Sequence, residues 1–68
     1  MSNKQTKLTN YKATMIAEGV LEPDYPDQYI EAWQHLIDTG LAWSLQGWFG
    51  RVAKNLIADG ICTMKTRN

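Results

Sequence analysis

Sixty-eight residues allow one domain, and with one Cys and one His neither an internal disulfide nor a four-ligand zinc site is available to hold it together. An apolar share of 44% against 21% charged belongs to a globular chain rather than a disordered one, so helix packing around aromatics or burial against a partner has to supply the stability. Seven basic and seven acidic side chains cancel, which argues against a protein that works by coating nucleic acid or an anionic membrane.

The charges are banded. Lys4, Lys7 and Lys12 open the chain, and six carboxylates (Glu18, Glu22, Asp24, Asp27, Glu31 and Asp38) follow with no Lys or Arg among them. Arg51, Lys54, Lys65 and Arg67 come later, with Asp59 among them. No apolar run approaches the roughly 18 residues of a membrane span. The opening MSNKQTKLTN has no apolar stretch of the kind a signal peptide needs. A cytosolic protein with Cys62 as a reduced thiol is expected.

Three similar stops divide the chain. Met15 to Val20, Leu36 to Leu41 and Leu56 to Ile61 each read large apolar, Ile, two variable residues, Gly, apolar. That is the signature of a Schellman ending, in which glycine takes the left-handed conformation and the next apolar residue packs on one five positions back. The expected pairs are Val20 on Met15, Leu41 on Leu36 and Ile61 on Leu56. The predicted fold is all-α, a compact three-helix domain with glycine C-caps over 9–62, between polar tails at 1–8 and 63–68.

The first helix is predicted over 9–18, with Leu8, Tyr11, Met15 and Ile16 on one stripe and Thr9 or Asn10 as cap. A short strand is the alternative for this segment, but it has no obvious strand to pair with. The second helix spans 26–39. Pro26 suits its first position, and Tyr29, Ile30, Trp33, Leu36 and Ile37 recur at helical spacing. The third runs over 45–59 with Ser44 as N-cap, Trp43 and Trp48 as a hydrophobic staple, and Leu45, Trp48, Phe49, Val52, Leu56 and Ile57 facing inward.

The stretch GLAWSLQGWFGR at 40–51 holds the candidate site. Counting about 100° per residue, Gly47, Gly50, Arg51 and Lys54 lie opposite the core stripe of the third helix. Glycine inside a helix costs about 1 kcal/mol relative to alanine. One reading therefore makes the strip a docking face that another backbone approaches closely; the other has Gly47 easing helix entry and Gly50 seating a neighbouring aromatic. Trp43, ahead of the predicted cap, is the aromatic assigned to the interface, while Trp33, Trp48 and Phe49 are assigned to the core rather than to a base-stacking platform. His35 beside Glu31 lacks the further ligands of a metal site and is expected on the solvated face. Cys62 is expected as a small buried hydrophobe, since nothing basic is placed to lower its pKa. No nucleophile–base pair, phosphate-cradling loop or metal cluster is evident, so neither catalysis nor a cofactor or metal is expected.

From Tyr29 to Cys62 the chain resembles small proteins encoded by tailed bacteriophages that share an EAWQ-x-LIDTGLAW-x-LQGWFGR-x-A core, preceded here by a matching segment at Tyr11 to Gly19. The resemblance covers about three quarters of the chain and implies a phage accessory protein of the infected bacterium's cytoplasm. It supplies no catalytic residues. The functional expectation is a non-catalytic interaction protein that binds a host or phage protein, or a second copy of itself, through Trp43, Gly47, Gly50, Arg51 and Lys54. The alternative is a helix-turn-helix-like nucleic-acid module using Arg51, Lys54 and the basic tails, although its reading positions would hold mainly Leu, Gln and Gly.

Overall fold

The computed structural model describes residues 8–64. Four helices follow in order: α1 (Asn10–Glu18), α2 (Pro26–Thr39), α3 (Leu41–Ser44) and α4 (Gly47–Ala58). No strand occurs among the described residues, and the all-α expectation holds. Residues 1–7 and 65–68 of the tails predicted at 1–8 and 63–68 lie outside the described residues.

The first segment is helical. Thr9 caps α1 by accepting from the Lys12 backbone N–H at 3.0 Å, so one of the helix's unpaired donors is satisfied. At the other end Gly19 sits at φ 84°. Its N–H donates to the Ile16 carbonyl at 3.0 Å and that of Val20 to the Met15 carbonyl at 3.0 Å, the two bonds of a Schellman ending. Gly60 repeats the pattern at φ 79°, with Gly60 and Ile61 donating to Ile57 and Leu56 at 3.0 and 2.9 Å. The apolar half of the motif is weak, since Val20 remains 69% exposed and Ile61 47%.

Gly40 stops α2 differently. It is left-handed, φ 84°, and its N–H reaches the Ile37 carbonyl at 3.1 Å, but Leu41 turns directly into α3 and its N–H faces the Thr39 hydroxyl at 3.4 Å. The Leu41 N–H to Leu36 carbonyl bond that would complete a Schellman ending is not made, although Leu41 still packs against the core, and a second helix begins instead. The boundaries of the third predicted helix change with it: LAWS forms its own turn, Leu45 is extended, and α4 starts two residues later than predicted, at Gly47 with Gln46 as N-cap. Ser44 is not the cap; its hydroxyl donates back to the Gly40 carbonyl at 3.4 Å. Serine bonding within a preceding turn competes with capping of a following one, and here the α3 turn takes it. With Trp43 in a separate helix, the predicted staple with Trp48 is not formed.

Alanine sets how closely α1 approaches α2. Ala13, Ile16 and Ala17 are the buried face of α1, and Ala32 is buried on α2. Tyr11, expected in the core, is 71% exposed; it lies about 200° around the helix from Ala13. Tyr29, also expected inside, is exposed because Gln28 occupies the inward position at that end of α2. The Gln28 amide oxygen accepts from the Asp24 backbone N–H at 2.6 Å, and the Gln28 backbone N–H donates to the Tyr25 carbonyl at 2.9 Å. A buried polar side chain is tolerable when it is bonded in this way, and this one holds the α1–α2 connection onto the helix.

Trp33, fully buried, is the centre of the core. It meets Trp48 edge-on at 6.2 Å between centroids and Phe49 at 5.7 Å, while Trp48 and Phe49 stack at 4.0 Å. The Trp33 indole N–H has no acceptor, a penalty of about 1–3 kcal/mol. Burying an indole of roughly 150–250 Å² at about 25 cal/mol per Å² contributes about 4–6 kcal/mol, so packing outweighs the orphaned donor.

After Gly60 the chain returns to α2. Cys62 is buried with its Sγ 3.9 Å from the Ile30 carbonyl. The Gln34 amide pairs with Thr63, accepting from its N–H at 2.9 Å and donating to its carbonyl at 2.8 Å. Thr63, placed at the start of a polar tail by the sequence, is thus fixed to the middle of α2. Burial, and secondarily the nearby Asp38 carboxylate, push the Cys62 thiol above its ordinary value. The folded chain then keeps this proton to higher pH than the unfolded chain does. The thiol's contribution to stability is therefore complete below the unfolded pKa and is lost as pH rises through the folded one. Native Cys62 should react with iodoacetamide at mildly alkaline pH only as fast as the chain opens, and in denaturant at the rate of a free thiol. Equal rates in the two states would refute the buried, protonated assignment.

Candidate functional site: a basic groove beside Trp43

The Gly40 stop and the short α3 turn direct Trp43 back over the start of α4. A Cβ built on Gly50 would lie 3.6 Å from Trp43 Cε3 and 3.7 Å from the Ala42 carbonyl oxygen, so the indole lies across the helix at a residue with no side chain. Trp43 nevertheless keeps 42% of its surface exposed, because its outer side forms a wall.

Beside that wall is a groove of about 230 Å³ lined by Ala42, Trp43, Leu45, Gln46, Gly47, Gly50, Arg51 and Lys54. All five residues singled out in the sequence, Trp43, Gly47, Gly50, Arg51 and Lys54, line it together. Their roles divide. Gly47 is the first residue of α4, where helix propensity matters least, and only the Arg51 guanidinium, at 3.8 Å, stands near its missing side chain. It leaves the groove floor open. Gly50 lies under Trp43, where an added Cβ would meet the ring at an ordinary contact distance of 3.6 Å, so the packing of α3 on α4 accommodates but does not demand a glycine.

Arg51 and Lys54 are exposed, and no carboxylate lines the groove. Among the described residues the ion pair formed is Lys12 with Asp24 at 3.1 Å, a surface pair contributing about 0–1 kcal/mol. Both groove cations are therefore left for solvent or a partner.

A second hollow, about 390 Å³, lies on the other side and is lined by Trp43, Lys54, Ile57, Ala58 and Met64. Trp43 and Lys54 belong to both hollows, which makes them the ridge between a basic groove and an apolar one. Ile57 and Ala58 follow Lys54 at helical spacing and were accessible to a periodicity reading. Met64 carried no such signal, because its place depends on the chain doubling back after Gly60.

The other candidates are positioned as structural parts. His35 is half-buried rather than freely solvated, and its Nε2 hydrogen-bonds the Asn10 side-chain oxygen at 2.8 Å, which ties α2 to the start of α1. In the acidic band, the Tyr25 hydroxyl donates to Glu31. That bond first, then partial desolvation and the neighbouring carboxylates of Glu31, Asp24 and Asp27, raise the Tyr25 pKa above its ordinary value. No helix among the described residues is long and apolar enough to cross a membrane.

Fold and groove together define a small all-helical domain whose distinguishing surface is a tryptophan-walled basic cleft. The chain belongs to the family described as "Domain of unknown function (DUF7417)", whose model matches residues 6–67. No curated protein and no solved structure matches it significantly.

Proposed function

We propose that this is a non-catalytic bacteriophage accessory protein that acts in the host cytoplasm by docking onto another protein through the Trp43 groove, without cofactor or metal. The phage assignment rests on the LIDTGLAW and LQGWFGR segments at 36–43 and 45–51. The observation that carries the docking reading is the convergence of Trp43, Gly47, Gly50, Arg51 and Lys54 on one groove. Tryptophan and arginine around a desolvated hollow are the residues that most often dominate binding energy. A glycine-lined floor lets a partner's backbone approach closely. Binding there would act by occlusion or scaffolding.

The test is co-purification from phage-infected bacteria, comparing tagged wild type with Arg51→Glu/Lys54→Glu. Both residues are exposed, so helical content should be unchanged. A protein retained by wild type and lost by the double variant supports the reading. Identical retained proteins would overturn it.

The same two free cations give the nucleic-acid reading its footing. That reading requires affinity to fall steeply with added salt as counterions are released. The first turn of α4 presents Gly47, Trp48, buried Phe49 and Gly50, which offers no polar side chain to a base edge. A gel shift at low ionic strength decides it: no shift removes the reading, and a salt-sensitive shift that Arg51→Glu/Lys54→Glu abolishes replaces the protein-docking one.

A further inference from the structure

We infer that the occupant of the groove is a second copy of this chain, which presents the acidic end of its α2. The inference rests on the docking reading and names its partner. The groove supplies two cations without carboxylates, next to an apolar hollow. The beginning of α2 and the loop before it have the complementary composition: Glu22 and Asp27 are exposed, and Leu21, Tyr25 and Tyr29 are exposed apolar or aromatic side chains beside them. Carboxylates at this end meet Arg51 and Lys54, tyrosine rings offer a face to the guanidinium, and an apolar side chain such as Leu21 fills the hollow beside Trp43.

The two surfaces do not meet within one molecule: no carboxylate lines the groove, and the ion pair among the described residues is Lys12 with Asp24. Complementarity of charge and apolar surface is therefore satisfied only between copies. Zero net charge removes the long-range repulsion that would otherwise keep identical chains apart. Reciprocal docking about a two-fold axis engages both grooves at once; docking without reciprocity continues head to tail.

Sedimentation velocity of the full chain, from about 10 µM to about 1 mM, tests this. Wild type should form dimers or larger species at low salt, weakening as ionic strength rises. Arg51→Glu/Lys54→Glu and, separately, Glu22→Lys/Asp27→Lys should each weaken association by about 100-fold or more, since like charges then face each other. Mixing the two variants should restore it. Circular dichroism checks folding, with Glu22→Gln/Asp27→Asn replacing the lysine pair if that pair loses helix. The inference is overturned if wild type is monomeric throughout, if association ignores either reversal, or if the mixture stays monomeric. A monomeric wild type that still retains a different protein, lost on Arg51→Glu/Lys54→Glu, overturns the second copy alone. Loss of neither overturns the docking reading as well.

Discussion

Trp33→Ala should unfold the domain or leave it barely folded. Large aromatic-to-alanine changes in a core cost about 3–5 kcal/mol, and a chain of 68 residues is expected to have only about 3–10 kcal/mol in total at roughly 0.05–0.15 kcal/mol per residue. Trp33 is fully buried and touches both other core aromatics, so its removal leaves Trp48 and Phe49 stacked over a void. The melting temperature should fall by at least about 12 °C, since 1 kcal/mol corresponds to roughly 4–8 °C in a domain of this size. Trp33→Phe is the control. It keeps a ring against Phe49 and deletes the indole N–H that has no acceptor, so its loss should be clearly smaller. Equal losses for Phe and Ala would show that stability does not reside in this packing.

Gly40→Val should be the next most damaging change, at about 2 kcal/mol and a melting temperature lowered by roughly 8–16 °C. The cause is backbone conformation alone. A Cβ at Gly40 would meet nothing within 4 Å, but the residue sits at φ 84°, where a β-branched side chain is strongly disfavoured. Gly40 also differs from the other two left-handed glycines in what it joins. Gly19 leads into an open loop and Gly60 into the last few described residues, whereas Gly40 sets the angle between α2 and α3 and so the seat of Trp43 over Gly50. Denaturation midpoints should rank Gly, then Asn, then Ala, then Val, because Asn tolerates the left-handed region best among the replacements. Gly50→Ala should move the other way and stabilise by about 0.5–1 kcal/mol, since its position is helical and the added methyl fits at 3.6 Å from Trp43. If Asn and Val at position 40 were equally destabilising, the left-handed explanation would fail.

How much of this was legible differs from element to element. The α2 boundaries at Pro26 and Thr39 could be read because proline opens the helix, glycine follows it, and a strong apolar period lies between. The α3 turn could not, because four residues are too few to show a period and Ser44 before LQGWFGR has the pattern of an N-cap. The break at Leu45 and Gln46 comes from packing Trp43 across Gly50, a contact between separate helices. Tyr11 was misplaced for a related reason. Periodicity favours large side chains, whereas the approach of α1 to α2 selected the alanines at 13, 17 and 32. Gln28 was overlooked as a core residue because its burial depends on a bond to the Asp24 backbone that no pattern signals.

The chain began as one with too few Cys and His for an internal disulfide or a four-ligand zinc site and too neutral to coat a polyanion. The sequence by itself determined that it is all-helical, where its glycines end the helices, and that an acidic band precedes Arg51, Lys54 and two further cations near the end of the chain. These are consequences of local backbone preference and composition, which neighbouring residues are enough to specify. Only the tertiary structure decided that Trp43 lies over Gly50, that Met64 returns beside it, and that Arg51 and Lys54 border a groove without a carboxylate. Each of those depends on which helix faces compete for a limited interior. That competition is resolved by the volumes of distant side chains and by the single turn at Gly40.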